Sequence, residues 1–118
     1  DQAGVSYNLG GGNQPGNLTI VETICDLLDN LVPDSPHRPH RGLITFVPDR
    51  PGHDRRYAMD STRIETQLGW KPKHNLAEGL EKTVRWYLEH PEWVESIQKQ
   101  QNYQGWINTN YTKREGTA

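Results

Sequence analysis

Apolar positions along this chain recur in two rhythms, one of period two and one of period three to four. From Asn17 onward, Leu18, Val21, Ile24, Leu27, Leu28 and Leu31 keep the spacing of one helical face. Asn17 is placed to cap that helix, its side-chain oxygen taking a free backbone N–H of the first turn, and Pro33 lies just past its end. The alternating run Val5-Ser6-Tyr7-Asn8-Leu9 predicts a short strand ending at Gly10, and Leu43-Ile44-Thr45-Phe46-Val47 predicts a second. Arg56-Tyr57-Ala58-Met59 reads as a short extended piece.

Further helices follow. Asp60 or Ser61 caps a short one carrying Ile64 and Leu68, which Gly69 ends in the left-handed position. Asn75-Leu76-Ala77-Glu78 has the form of a capping box, and the helix behind it sets Leu76, Leu80, Val84, Tyr87 and Leu88 on one face. Glu81 and Arg85 pair at i, i+4. Pro91 opens one more short helix through Trp93 and Ile97, an aromatic, Asn-rich tail follows, and residues 112–118 are expected to fray.

Composition changes the picture in one respect. The chain has 118 residues, enough for one unit spanning 1–118, yet only 32% are hydrophobic. Typical domains hold roughly 45–50% apolar residues with glycine counted. Eleven glycines and eight prolines add loop, while four tryptophans and five tyrosines argue against disorder. These facts together predict a folded piece whose burial is completed by something else. With Asp1 rather than Met at its start, the chain is expected to be processed, trimmed or a fragment.

A net charge of −2 and the lack of any basic stripe exclude nucleic acid and membrane surfaces as evident partners. No apolar run approaches the ~20 residues of a membrane span. The single cysteine, Cys25, sits in the apolar helical pattern as a small buried hydrophobe, so a disulfide within the chain is impossible. A reducing, cytoplasmic setting is expected.

Three stretches invite chemistry. Gly10, Gly12 and Gly16, between a strand and a helix, imitate a dinucleotide fingerprint. Their spacing is G-x-G-x-x-x-G, Pro15 stands where the third glycine belongs, and no second strand supplies the acidic residue. What survives is that Asn17 and the adjoining helix start could still touch a phosphate. His37, His40 and His53 lack a framework that would aim their rings at one metal ion. The third stretch is Asp49-Arg50-Pro51-Gly52-His53-Asp54-Arg55-Arg56-Tyr57, three arginines, a histidine and two carboxylates around a Pro-Gly turn. Arginine's planar fork matches phosphate geometry, so this loop is the candidate anion site. Internal Arg–Asp pairing on a solvated loop is the alternative.

The order of these motifs carries a resemblance. Tyr7-Asn8-Leu9-Gly10-Gly11, Ile24-Cys25-Asp26-Leu27-Leu28-Asp29, the arginine-rich run, Leu68-Gly69-Trp70-Lys71-Pro72 and Thr83-Val84-Arg85-Trp86-Tyr87-Leu88 follow one another as in the dTDP-glucose 4,6-dehydratase family. The chain resembles the C-terminal third of those extended short-chain dehydrogenases, from Val5 to about Tyr111. The fold this implies is α/β: the substrate-binding portion of a Rossmann-type enzyme, with three to four helices and a few short strands. The activity it implies is a lyase reaction, dTDP-glucose to dTDP-4-keto-6-deoxyglucose plus water in deoxysugar synthesis. Tightly held NAD serves as a transient hydride store.

The family's NAD fingerprint, Tyr-x-x-x-Lys pair and Asp-Glu acid/base couple have no match here, so the resemblance implies no catalytic residue, no NAD contact and no activity for this chain alone. It implies a substrate-binding set: Asn17 near the diphosphate, Asp49, Arg50, Pro51, Gly52 and His53 gripping the nucleotide, and Tyr111 beside it. The implied partners are a dTDP-sugar, the remainder of the same enzyme and a second copy in a homodimer. Two other readings stay open: a fragment of another NAD-dependent nucleotide-sugar epimerase or decarboxylase, and a non-catalytic anion-binding module.

Overall fold

Gly16 precedes the first helix and offers no side chain to cap it, so helix α1 (Asn17–Leu31) has no side-chain cap, and Ile20 N–H donates to Gly16 O at 3.3 Å. The computed structural model describes residues 4–47, 52, 54, 56–99 and 101–110. Asn17 is therefore the first helical residue and not the cap, and its amide is free to reach elsewhere. A one-turn 3-10 helix (His40–Leu43) follows the Pro-rich loop. Then come α2 (Thr62–Leu68), α3 (Leu76–Glu89), α4 (Pro91–Gln98) and α5 (Gln101–Asn110).

Helices α2 to α4 start and stop where the sequence says they should. Asn75 accepts from Glu78 N–H at 2.9 Å while the Glu78 carboxylate accepts from Asn75 N–H at 3.3 Å, a complete capping box. Gly69 ends α2 at φ +66°, its N–H donating to Glu65 O. Pro91 occupies the first turn of α4, where its missing donor costs nothing. The Arg85–Glu81 pair forms on the surface of α3.

Helix α5 is a departure, since the sequence leads one to expect three to four helices and assigns no element to the aromatic, Asn-rich tail. The strands are a second departure. Among the described residues there is no strand: 5–9 has no regular secondary structure, Leu43 closes the 3-10 helix, and 44–47 and 56–59 are coil. A strand needs a ladder partner for its N–H and C=O groups, and the described residues set no second strand beside either segment.

Helix α1 packs against α3 and the 3-10 helix, α3 against α4, and α4 against α5. The core is small. Among the described residues Cys25 of α1, Ile64 of α2 and Val84 of α3 are its buried apolar side chains, whereas Leu76, Tyr87 and Leu88 on the predicted inner face of α3 remain substantially exposed. Trp86, Tyr87 and Trp93 meet edge to face across the α3–α4 corner, and His90 stacks on Trp86 with centroids 4.5 Å apart.

The radius of gyration is 18.3 Å. A self-contained chain of this length would have about 13–14 Å. The exposed area, 9894 Å², compares with about 6,500 Å² for a folded monomer of this mass. The thin core read from composition is thus a property of the fold.

Candidate functional site

Two long-range ties bring the start of α1 and the end of the arginine-rich loop together. The Asn17 Nδ2 donates to Asp54 O at 3.1 Å, across 37 positions. Gly10 and Ser61, 51 positions apart, exchange two bonds: Gly10 N–H donates to Ser61 Oγ at 2.9 Å, and the Ser61 hydroxyl donates to Gly10 O at 3.1 Å. Beyond them Tyr7 Oη donates to Gln67 Oε1 at 3.0 Å, and the Arg63 guanidinium lies 5.3 Å from the centre of the Tyr7 ring. As numbers rise from 7 to 17 on one side they fall from 67 to 54 on the other. The two segments lie antiparallel, joined by side chains where a sheet would use backbone.

Of the substrate-binding set expected from the sequence, Asn17 is at the first residue of α1 and Gly52 holds φ +72°, a turn conformation suited to glycine. Asp49, Arg50, Pro51, His53 and Tyr111 lie outside the described residues. At the exit of the loop the carbonyl of Asp54 is anchored to α1, and Arg56 and Tyr57 beyond it are exposed. An open groove of about 410 Å³ runs beside this seam between Gly12, Gln14, Met59, Asp60 and Glu65. Its two carboxylates would repel a phosphate, so the groove itself is not an anion cradle.

Gly10 does not play the part of a fingerprint glycine. The fingerprint needs glycine amides free to approach a pyrophosphate. Here the Gly10 N–H is committed to Ser61, and a Cβ at Gly10 would stand 2.7 Å from Met59 Cβ, so the glycine serves close packing of two segments.

One cluster went unseen in the sequence. His40 is buried, with Nδ1 2.5 Å from Asp29 Oδ1 and Nε2 3.1 Å from Ser35 Oγ. A carboxylate only accepts, so Nδ1 carries the proton and Nε2 faces the hydroxyl, which are the atom roles of a serine hydrolase relay. An oxyanion formed at Ser35 would nonetheless find no local donors. Ser35 N–H is bonded to Val32 O, Pro36 has none, and His37 N–H donates to Ser35 Oγ itself. The cluster therefore fastens the Pro-rich loop to α1. Nearby Arg41 reaches the same helix, forking onto Asp26. That hydrogen bond lowers the Asp26 pKa, and the His40 ring lowers that of Asp29.

Comparison with known proteins bears on what this seam is for. Residues 2–83 match the model of the family described as GDP-mannose 4,6 dehydratase. The chain belongs to that family. With membership comes the extended short-chain dehydrogenase fold, and the dehydratases of this family are NAD-dependent in general. Among curated relatives, the dTDP-glucose 4,6-dehydratase of Shigella flexneri is 50% identical over 114 residues, 97% of this chain and 31% of the relative. The probable dTDP-glucose 4,6-dehydratase of Sinorhizobium fredii is 51% identical over 94 residues, 80% of this chain and 26% of the relative. That of Xanthomonas campestris pv. campestris is 41% identical over 96 residues, 81% and 27% respectively. The chain thus spans about a third of the length of the curated relatives it matches. No helix among the described residues is long and apolar enough to cross a membrane.

Proposed function

We propose that this chain supplies the nucleotide and diphosphate side of the substrate site of a dTDP-glucose 4,6-dehydratase, a lyase converting dTDP-glucose to dTDP-4-keto-6-deoxyglucose and water. The observation that carries the proposal is the tie between Asn17 and Asp54. It sets the positive end of a 15-residue helix against Asp54, which in sequence stands between Arg50 and the Arg55-Arg56 pair. Helix dipole and guanidinium groups then favour the same kind of ligand, a diphosphate. The likeness to enzymes that bear dTDP-glucose in their names, over 97% of this chain, supports dTDP as the nucleotide.

In this reading Asn17, Asp49, Arg50, Pro51, Gly52, His53 and Tyr111 contact the substrate handle. NAD and the reacting carbons sit against the rest of the enzyme, which also completes the core, and the whole enzyme is a cytoplasmic homodimer. The chain by itself turns over nothing. Calorimetry on the enzyme that carries this segment tests the assignment, with dTDP, GDP and inorganic pyrophosphate as ligands. Saturable dTDP binding, tighter than that of the other two, is expected. Equal affinity for dTDP and pyrophosphate would reduce the site to a general anion binder, and no dTDP binding would end the assignment.

A further inference from the structure

Ser61 stands at the position before α2 where a serine ordinarily caps the helix, yet its hydroxyl makes no capping bond. Asp60 does that work instead, its Oδ1 accepting from Thr62 N–H at 2.9 Å. The Ser61 hydroxyl is turned the other way, onto both the N–H and the C=O of Gly10. One side chain so takes the two backbone groups that a neighbouring strand residue would take. Ser61 is among the few buried polar residues described, and Gly10 fits against the segment before it only for want of a Cβ, since that atom would meet Met59 Cβ at 2.7 Å and Met59 O at 3.1 Å.

We propose that Ser61 and Gly10 form a latch that positions the substrate's nucleotide end. The latch fixes where residues 10–17 run against residues 54–61, and therefore where Asn17 stands relative to the end of the arginine-bearing loop. Neither residue touches substrate; both act through Asn17 and Asp54. A helix cap would need no partner 51 positions away, and the diversion of the hydroxyl from its local task to that partner marks the registration of two segments as its role. This inference rests on the nucleotide reading of the site given above.

The test uses the enzyme that carries this segment, with Ser61→Ala, Ser61→Thr and Gly10→Ala. Hydrogen exchange reads the latch without any ligand. Ser61→Ala should speed exchange across residues 10–17 and 54–61 while leaving α3 and α4 as they are. Steady-state kinetics reads positioning. KM for dTDP-glucose should rise about five- to tenfold, the scale of one net hydrogen bond, with kcat within about twofold. Threonine, which keeps the hydroxyl, should restore both readouts, and Gly10→Ala should reproduce the alanine phenotype by a different route. Unchanged exchange in Ser61→Ala would show that the two segments are registered without the latch. Faster exchange with unaltered KM would make the latch structural only and overturn its positioning role. An unsubstituted enzyme that ignores dTDP-glucose overturns the nucleotide reading, and the exchange comparison still decides whether the latch exists.

Discussion

His40 gives both its ring Nδ1–H and its backbone N–H to one oxygen of Asp29, at 2.5 and 3.1 Å. The two bonds close a small ring between α1 and the 3-10 helix, and the Arg38 guanidinium adds charge to the same carboxylate at 3.7 Å. This carboxylate anchors the Pro-rich loop to α1. Its neighbour Asp26 does the same for Arg41 one turn earlier.

A pH dependence follows with a definite sign. The His40 hydrogen bonds hold Asp29 below the ordinary carboxyl value of 3.8, the Arg41 hydrogen bond does so for Asp26, and hydrogen bonds to Thr62 do so for Asp60. A carboxyl whose pKa is lowered by folding binds its proton more weakly in the native chain than in the unfolded one. The stability it contributes is full above the ordinary value and is lost as pH falls below it. Urea midpoints should therefore stay level from about pH 7 to pH 5 and drop below about pH 4. Asp29→Asn should flatten part of that drop, and an acid limb as steep as that of the parent would remove Asp29 from the account.

Two glycines should respond differently to alanine. At Gly69 a Cβ would meet nothing within 4 Å, so the only cost is the left-handed backbone at φ +66°. That is worth about 1–2 kcal/mol. At Gly10 the cost is collision with Met59, and the register of two segments moves with it. Ile64→Ala, which empties one of the few buried apolar sites, should exceed Gly69→Ala at about 2–5 kcal/mol. Denaturant unfolding of the three variants orders them. A Gly69→Ala loss as large as that of Ile64→Ala would mean the α2 terminus is held by more than backbone geometry.

Local signals carried α1 to α4, missed α5 and the 3-10 helix, and failed at what needed a distant partner. Asn75 with Glu78, Gly69, Pro91 and the Glu81–Arg85 pair are legible because both halves of each interaction lie within four residues. The strands expected at 5–9 and 43–47 do not form among the described residues, because alternation reports that a segment suits a sheet, not that a sheet stands beside it. Asn17 was misassigned as a cap for a related reason: its amide finds Asp54, and nothing within a turn of the sequence hints at that. The Asp29–His40–Ser35 cluster and the Ser61 latch stayed hidden too, since a buried histidine in a Pro-rich loop and a serine before a helix each have an ordinary local explanation.

Arg50 and Asn17 make unequal demands on the proposed site. A guanidinium on a diphosphate is a charge-assisted pair, so Arg50→Ala in the enzyme carrying this segment should weaken dTDP binding by about 1.5–3 kcal/mol. Asn17→Ala removes a neutral amide that also anchors Asp54, and its loss should come to about 0.5–1.5 kcal/mol. Calorimetric titration with dTDP measures both. An Arg50 variant with unchanged affinity would make that arginine structural.

The apolar surface left open by the fold gives the last expectation. Phe46 is 81% exposed, and Leu43 and Val47 beside it are 60% and 63% exposed. Soluble monomers rarely leave such residues clustered in the open, because burying them is what drives folding and association. In the proposed enzyme the remaining polypeptide covers them. The 118-residue chain produced alone has no such cover, so it should bind a hydrophobic dye and self-associate as concentration rises, and it should show no 4,6-dehydratase turnover even with NAD added. Phe46→Ser should weaken both dye binding and association in the isolated chain. In the whole enzyme the same substitution should lower thermal stability, because it puts a hydroxyl where an aromatic ring was buried. Light scattering and dye fluorescence on the isolated chain, with thermal unfolding of the whole enzyme, separate the two effects. A Phe46→Ser enzyme as stable as its parent would mean that this segment faces solvent in the assembled molecule as well.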